Sequence, residues 1–179
     1  MKHITDYIKR YDNILSDDIC DKICKNTDEK SFNTAIVNDG YEVKSYRKCF
    51  QKNLDEKYHD YLYKGVSEVL QKYQKDHANF YIGLSIEDTG YEHLLYKGSE
   101  KGEYKTHIDA MDLYPRVLSI SFLLNDNYDG GDFVFFEDMS YTVKKKKGSA
   151  VVFPSNFCFP HAVIPVTNGN RQSIITWVH

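Results

Sequence analysis

Tyr58, Leu62, Val66, Val69, Leu70 and Tyr73 recur at spacings of three and four, which puts them on one face of an amphipathic helix packed against something flat. Its start is expected at Asn53, with Glu56 three residues on in the manner of a capping box. An earlier helix is expected to begin at Ser16, whose hydroxyl suits an N-cap, with Asp17 and Asp18 complementing the dipole of the first turn, and to end near Asn26. Between the helices, residues 34–37 and 41–50 read as strands joined by a turn at Asn38-Asp39-Gly40. From residue 91 the pattern changes to short apolar segments at about 91–97, 103–110, 116–125, 132–137, 140–143, 149–153, 161–166 and 171–178. Asp129-Gly130-Gly131 and Lys147-Gly148-Ser149 supply turns between them. Such a succession argues a β-sandwich or barrel, and with helices only at the front the chain is α+β overall.

The length of 179 residues fits a single domain with a sizeable core, and no Pro/Gly/Ser-rich linker or repeat divides it. Residues 1–95 read as a lead-in and residues 96–179 as the β core. A formal net charge of −3 gives no electrostatic reason to expect nucleic acid or a membrane as partner. The first residues lack the apolar run of a signal peptide and no segment approaches the roughly twenty apolar residues of a membrane span, so a cytoplasmic protein is expected. Cys20, Cys24, Cys49 and Cys158 are too few and too irregularly spaced for a disulfide framework. Cys20 and Cys24 share a helical face with Ile19 and Ile23, where thiols pack as small hydrophobes. The run Lys144 to Lys147 precedes Gly148 and reads as a solvated turn, with attraction of an acidic peptide or co-substrate left open as a second use.

The chemistry concentrates after residue 96. His107 and Asp109 stand two apart in Tyr104-Lys105-Thr106-His107-Ile108-Asp109, so on a strand both side chains point to one face. Two imidazoles and one carboxylate form the facial triad that suits Fe(II) and leaves coordination positions open for reactants. The best third ligand is His161, judged by its surroundings: Phe153-Pro154 before it, Pro165-Val166 after it, then a turn at Asn168-Gly169-Asn170 and a last strand from Arg171. On that strand Arg171, Ser173, Ile175 and Trp177 share a face. The guanidinium of Arg171 is what a dicarboxylate needs, and Ser173 adds a hydroxyl donor beside it. The competing reading of the trio is a buried polar cluster held by its own hydrogen bonds. His3, His59, His77, His93 and His179 have no such constellation and read as surface or satisfied residues.

The ordered set Tyr96…Tyr104-x-x-His107-x-Asp109…Arg116-x-x-Ser119…Asn125-x-x-Tyr128-x-Gly130-Gly131…Gly148…Phe153-Pro154…His161…Pro165-Val166…Gly169-x-Arg171-x-Ser173…Trp177 resembles the iron- and 2-oxoglutarate-dependent dioxygenases, in their prolyl 4-hydroxylase-like branch. The resemblance implies a double-stranded β-helix, or jelly-roll, with Fe(II) held by His107, Asp109 and His161 in its mouth. It implies 2-oxoglutarate bound through Arg171, Ser173 and Tyr96, dioxygen as the second co-substrate, ascorbate as reductant, and Tyr104 and Trp177 in the pocket. The activity implied is hydroxylation of a prolyl residue in a peptide or protein. A lysyl residue or free amino acid as substrate, or a jelly-roll that binds metal without turnover, are the alternatives. The chain departs from the pattern in two places: Tyr96 lies two residues further from His107 than the usual tyrosine, and residues 119–125 contain no tyrosine. Substrate recognition is expected from the segments before Tyr96, where Tyr41, Tyr46 and Arg47 are candidates, and from residues 97–102.

Overall fold

A computed structural model describes residues 2–25, 28–36, 45–78, 87–111 and 115–179. In chain order the elements are β1 (Lys9–Tyr11), α1 (Asp17–Lys25), β2 (Asn33–Thr34), β3 (Arg47–Lys48), β4 (Phe50–Asn53), α2 (His59–Asp76), β5 (Glu92–Lys97), β6 (Glu103–His107), β7 (Leu118–Leu123), β8 (Asp129–Gly130), β9 (Phe133–Phe135), β10 (Tyr141–Val143), β11 (Ala150–Pro154), β12 (His161–Val163), β13 (Val166–Asn168) and β14 (Asn170–Val178). Seven strands form one antiparallel sheet in the order β1-β11-β7-β14-β5-β4-β2, and five form a second in the order β10-β9-β12-β6-β3. The two sheets and their long crossovers make a jelly-roll.

Alternation along the large sheet divides the core in two. Leu118, Ile120, Phe122 and Ile174 turn outward and are buried with Leu62, Val66, Val69, Leu70 and Tyr73 of α2. The opposite face sends Leu94, Tyr96, Phe153, Ile175 and Trp177 toward Phe133, Phe135 and Val163 of the smaller sheet. Gly65 marks the closest approach of α2, since a Cβ there would come within 3.0 Å of the Phe122 ring. Helix α1 begins as expected, with Ser16 Oγ accepting from the Ile19 amide at 3.3 Å. Its Ile19, Cys20 and Ile23 are buried, and the cysteines of the described residues are free thiols.

Several expectations are corrected by tertiary pairing. Helix α2 does not start at Asn53: residues 50–53 form β4 and pair with residues 92–95, and a 3₁₀ turn at Glu56–Tyr58 leads into His59. The pairing satisfies a run of backbone groups, whereas the cap signal offers one or two. The segments around 34 and 47 do not pair with each other. β2 joins β4 in the large sheet, while β3 joins β6 in the small one. The proposed turn at residues 38–40 and Tyr41 lie outside the described residues. The strand expected over 103–110 stops at His107, and that over 161–166 divides into β12 and β13. The lead-in therefore contributes strands to both sheets, including the edge strand β1.

The lysine run leads into a surface turn as expected, and three of its side chains are pinned there. Lys145 donates to the Tyr128 carbonyl, while Lys146 pairs with Asp12 at 3.0 Å and Lys147 with Asp21 at 2.7 Å. The following Gly148 has φ +74° and accepts at its carbonyl from the Ile14 and Leu15 amides, and a Cβ there would lie 2.4 Å from the Leu15 oxygen. Glycine meets both the left-handed backbone and the close approach. Among the described residues no helix is long and apolar enough to cross a membrane.

Two histidines read as surface or satisfied are buried with one ring nitrogen unpartnered among the described residues: His77 Nε2 and His93 Nδ1. His93 lies on the helix-facing side of β5, with Nε2 3.0 Å from the Gln172 side-chain oxygen, and burial pushes its pKa down to about 4. An unfolded chain takes up this proton near 6.5, so between about 6.5 and 4 the unfolded state holds more protons and stability falls as pH falls. The expected slope from this group is at most roughly 1.4 kcal/mol per pH unit. Urea unfolding of wild type and His93→Leu at pH 7 and pH 4.5 should show a smaller loss on acidification in the variant; equal losses would exclude His93 as a source.

Candidate active site

His107 closes β6 and His161 opens β12, and the antiparallel register sets these two residues directly opposite one another. Strand pairing thus delivers a side chain from more than fifty residues downstream. Beyond His107 the chain leaves the sheet; Ile108 turns outward, 43% exposed, and Asp109 turns back inward, 8% exposed. The alternation expected of a strand survives the end of the strand.

The three side chains meet through atoms that accept. Nε2 of His107 lies 3.6 Å from Asp109 Oδ1, and Nε2 of His161 lies 3.6 Å from Asp109 Oδ2. The far nitrogen of each ring faces a backbone carbonyl: His107 Nδ1 donates to Lys105 O at 2.8 Å and His161 Nδ1 to Phe159 O at 3.1 Å. A carbonyl only accepts, so each neutral ring carries its proton on Nδ1 and turns its Nε2 lone pair toward the carboxylate. Burial, with His161 alongside, holds the His107 pKa down at about 3. Burial alone would raise Asp109, but the positive charge that His161 and His107 carry when protonated, with the Ser119 hydroxyl, holds its carboxyl below the usual range. Ser119 Oγ donates to Asp109 Oδ2 at 2.6 Å and lies 2.8 Å from Ser155 Oγ.

These distances speak against a cluster held by its own hydrogen bonds, because 3.6 Å is too long for one and the facing atoms are all acceptors. All three ligand-type atoms lie within 4.8 Å of one another. A divalent cation satisfies such a set, and two nitrogens with one carboxylate oxygen suit Fe(II). The residues present fit the metal.

The same cavity, of about 310 Å³, is lined by Tyr96, Tyr104, Arg171, Ser173 and Trp177 as well as the triad. Arg171 is 2% exposed and neighbours Tyr96 across β14 and β5, its guanidinium 5.0 Å from the Tyr96 ring centroid. It donates from Nη1 to Ser173 Oγ at 2.9 Å, whereas its Nε has no partner among the described residues. A buried guanidinium without a carboxylate is costly, so the cavity fits a dicarboxylate at this end. The extra residues after Tyr96 are absorbed by the 3₁₀ turn Gly98–Glu100 and leave the tyrosine beside Arg171. Tyr104 stacks on His107 with centroids 3.5 Å apart. Trp177 lies under the Arg116 guanidinium, 3.6 Å from the ring centroid, and Arg116 Nη1 approaches the Asp109 carbonyl at 3.4 Å.

Some members of the site carried little signal in the sequence. Ser119 and Arg116 stood in the motif without a role, and Glu92 and Gln51 reach the cavity through strand alternation alone. Of the three candidates for substrate recognition in the lead-in, Arg47 lines the cavity, Tyr46 donates to the Thr106 carbonyl beside it, and Tyr41 lies outside the described residues.

Residues 92–179 match the family model described as the 2OG-Fe(II) oxygenase superfamily. The chain is 35% identical over 77 residues to a PKHD-type hydroxylase of Psychrobacter sp. (strain PRwf-1), covering 41% of this chain and 29% of that protein. It is 24% identical over 156 residues to a PKHD-type hydroxylase of Colwellia psychrerythraea, covering 83% of this chain and 67% of that one. The chain thus spans less than a third of the first relative and about two thirds of the second. Its fold resembles a prolyl hydroxylase of Trichoplax adhaerens, solved in complex with a hypoxia inducible factor oxygen degradation domain peptide fragment. The TM-score is 0.77 at 20% identity, over 97% of this chain and 84% of that one.

Mn(II) should raise the melting temperature of the wild-type protein by binding the native state, and His161→Ala should abolish the shift. Ser119→Ala, which frees Asp109 from its hydroxyl donor, should weaken Mn(II) binding about tenfold or more in calorimetry. An unchanged affinity would remove Ser119 from the support of the site.

Proposed function

We propose that this chain, which belongs to the 2OG-Fe(II) oxygenase superfamily, is an iron- and 2-oxoglutarate-dependent hydroxylase acting on a prolyl residue of a peptide or protein. The observation that carries the reading is one cavity with two imidazoles and a carboxylate converging at one place and, at another, a buried guanidinium that has no carboxylate partner among the described residues. When bound, Fe(II) with 2-oxoglutarate and dioxygen supplies the oxidative chemistry: the co-substrate becomes succinate and carbon dioxide, and one oxygen atom enters a substrate C–H bond.

The chain's own residues hold and orient. His107, Asp109 and His161 would be the metal ligands. The carbonyls of Lys105 and Phe159 keep both imidazoles in the ligating tautomer before any metal arrives. Ser119, backed by Ser155, fixes the rotation of the Asp109 carboxylate. Arg171 would take the distal carboxylate of 2-oxoglutarate through a charge-assisted pair, with Ser173 holding the guanidinium and Tyr96 walling its other side. Tyr104 and Trp177 give the cavity aromatic sides that exclude water. Support for a peptide substrate and for proline comes from the Trichoplax protein, a prolyl hydroxylase solved with a peptide fragment.

Incubation with Fe(II), 2-oxoglutarate, ascorbate and a panel of proline-containing peptides should give succinate together with addition of one oxygen to a prolyl residue by mass spectrometry, lost in His107→Ala. Succinate without peptide oxidation would overturn the substrate and keep the oxygenase; no succinate, with metal binding intact, would favour a protein that binds metal without turnover. Arg171→Ala should weaken 2-oxoglutarate binding at least about tenfold while leaving Mn(II) affinity near wild type. Equal loss of both would remove Arg171 from the co-substrate.

A further inference from the structure

Arg47, on β3, lines the same cavity and has no role in the chemistry described above. Its guanidinium lies 4.6 Å from the centroid of the Tyr104 ring, which in turn stacks on His107. It donates from Nη1 to the Ile36 carbonyl at 2.7 Å and from Nε to Cys49 Sγ at 3.2 Å. Neither acceptor is an anion. Burial pushes the Cys49 thiol and the Tyr96 phenol up, so both are neutral at physiological pH. Among the described residues no carboxylate lies within ion-pair distance of Arg47.

The charges of the cavity sharpen this. Among the described residues that line the cavity, three guanidiniums, those of Arg47, Arg116 and Arg171, face two carboxylates, those of Glu92 and Asp109. Arg116 lies near both carboxylates. A divalent cation and a dicarboxylate cancel one another, so loading the site leaves its balance where it began, with one cation over. Arg171 is assigned to the co-substrate, and Arg47 remains. A guanidinium kept in a half-buried cavity without a counter-charge is unfavourable unless a ligand brings one. Its planar fork suits a carboxylate in particular.

We propose that Arg47 is a substrate-binding residue that takes a carboxylate of the substrate, placed close to the residue being hydroxylated. The inference rests on the hydroxylase reading and adds the substrate's charge to it. The carboxylate has two possible sources: an acidic side chain adjoining the target proline in a peptide, or the α-carboxylate of a free amino acid. In both cases it docks over Tyr104, beside the His107 ligand.

Protein loaded with Mn(II) and 2-oxoglutarate under argon reports binding without turnover, and calorimetry then compares two matched pairs. The first pair is a short peptide with aspartate on both sides of proline and its asparagine counterpart; the second is L-proline and L-prolinamide. The acid should bind about tenfold or more tightly than the amide in one pair, and that pair identifies the source. Arg47→Gln should erase the preference and Arg47→Lys should retain part of it, with melting curves verifying that both variants are folded. Equal binding of acid and amide in both pairs, no binding included, would overturn the proposal, as would a preference that survives in Arg47→Gln. A loss of 2-oxoglutarate affinity in Arg47→Gln as large as in Arg171→Ala would assign Arg47 to the co-substrate instead. Failure of Mn(II) and 2-oxoglutarate to bind wild type at all would strike the hydroxylase reading itself, which separates the two failures.

Discussion

The pairing of β12 with β6 is the constraint on which the site depends. It places His161 opposite His107 in the register of an antiparallel ladder, at a separation side chains on their own cannot set. A slip of one residue would turn either imidazole to the other face of the sheet. β12 is held on its other side by β9, with His161 opposite Phe135, so the second histidine sits inside a three-stranded frame. Asp109 needs no strand of its own, because it follows His107 by two residues and is caught by Ser119 from the facing sheet.

The site brings like groups together before any ligand is present. Two imidazole lone pairs and a carboxylate face one another, and two guanidiniums in the same cavity lack anions among the described residues. Each arrangement works against stability, and each is tolerated because its surroundings are over-determined. Ring protons are tied to carbonyls, the carboxylate to a serine pair, and Arg171 to Ser173 and the face of Tyr96. The cavity is thus preorganised toward a metal and anions rather than shaped by them.

The rest of the chain holds this frame. Helices α1 and α2 cover the outer face of the large sheet, which frees the inner face to carry the site. Salt bridges from Lys146 and Lys147 fasten the β10–β11 connection to the N-terminal segment, and the close contact at Gly148 locks the same junction. The lead-in is consequently part of the jelly-roll: β1, β2 and β4 extend the large sheet, and β3 brings Arg47 to the cavity.

The sequence by itself determined what depends on short-range order. Period-two alternation placed Arg171, Ser173, Ile175 and Trp177 on one face, three- and four-residue spacing marked the buried stripe of α2, and Ser16 announced the start of α1. The family's motif singled out His107, Asp109, His161 and Arg171 as candidates, and these four line one cavity. Tertiary structure decided what depends on partners far along the chain. Pairing with β5 made residues 50–53 a strand despite a cap signal, and separate partners sent β2 and β3 to different sheets. Glu92, Arg116 and Arg47 entered the cavity because the sheets bring distant segments together, and His93 became a buried, proton-poor imidazole by being covered. A residue's own neighbours specify which way it points. Only the packed sheets specify what it points at, because burial and charge compensation are properties of the surroundings rather than of the residue.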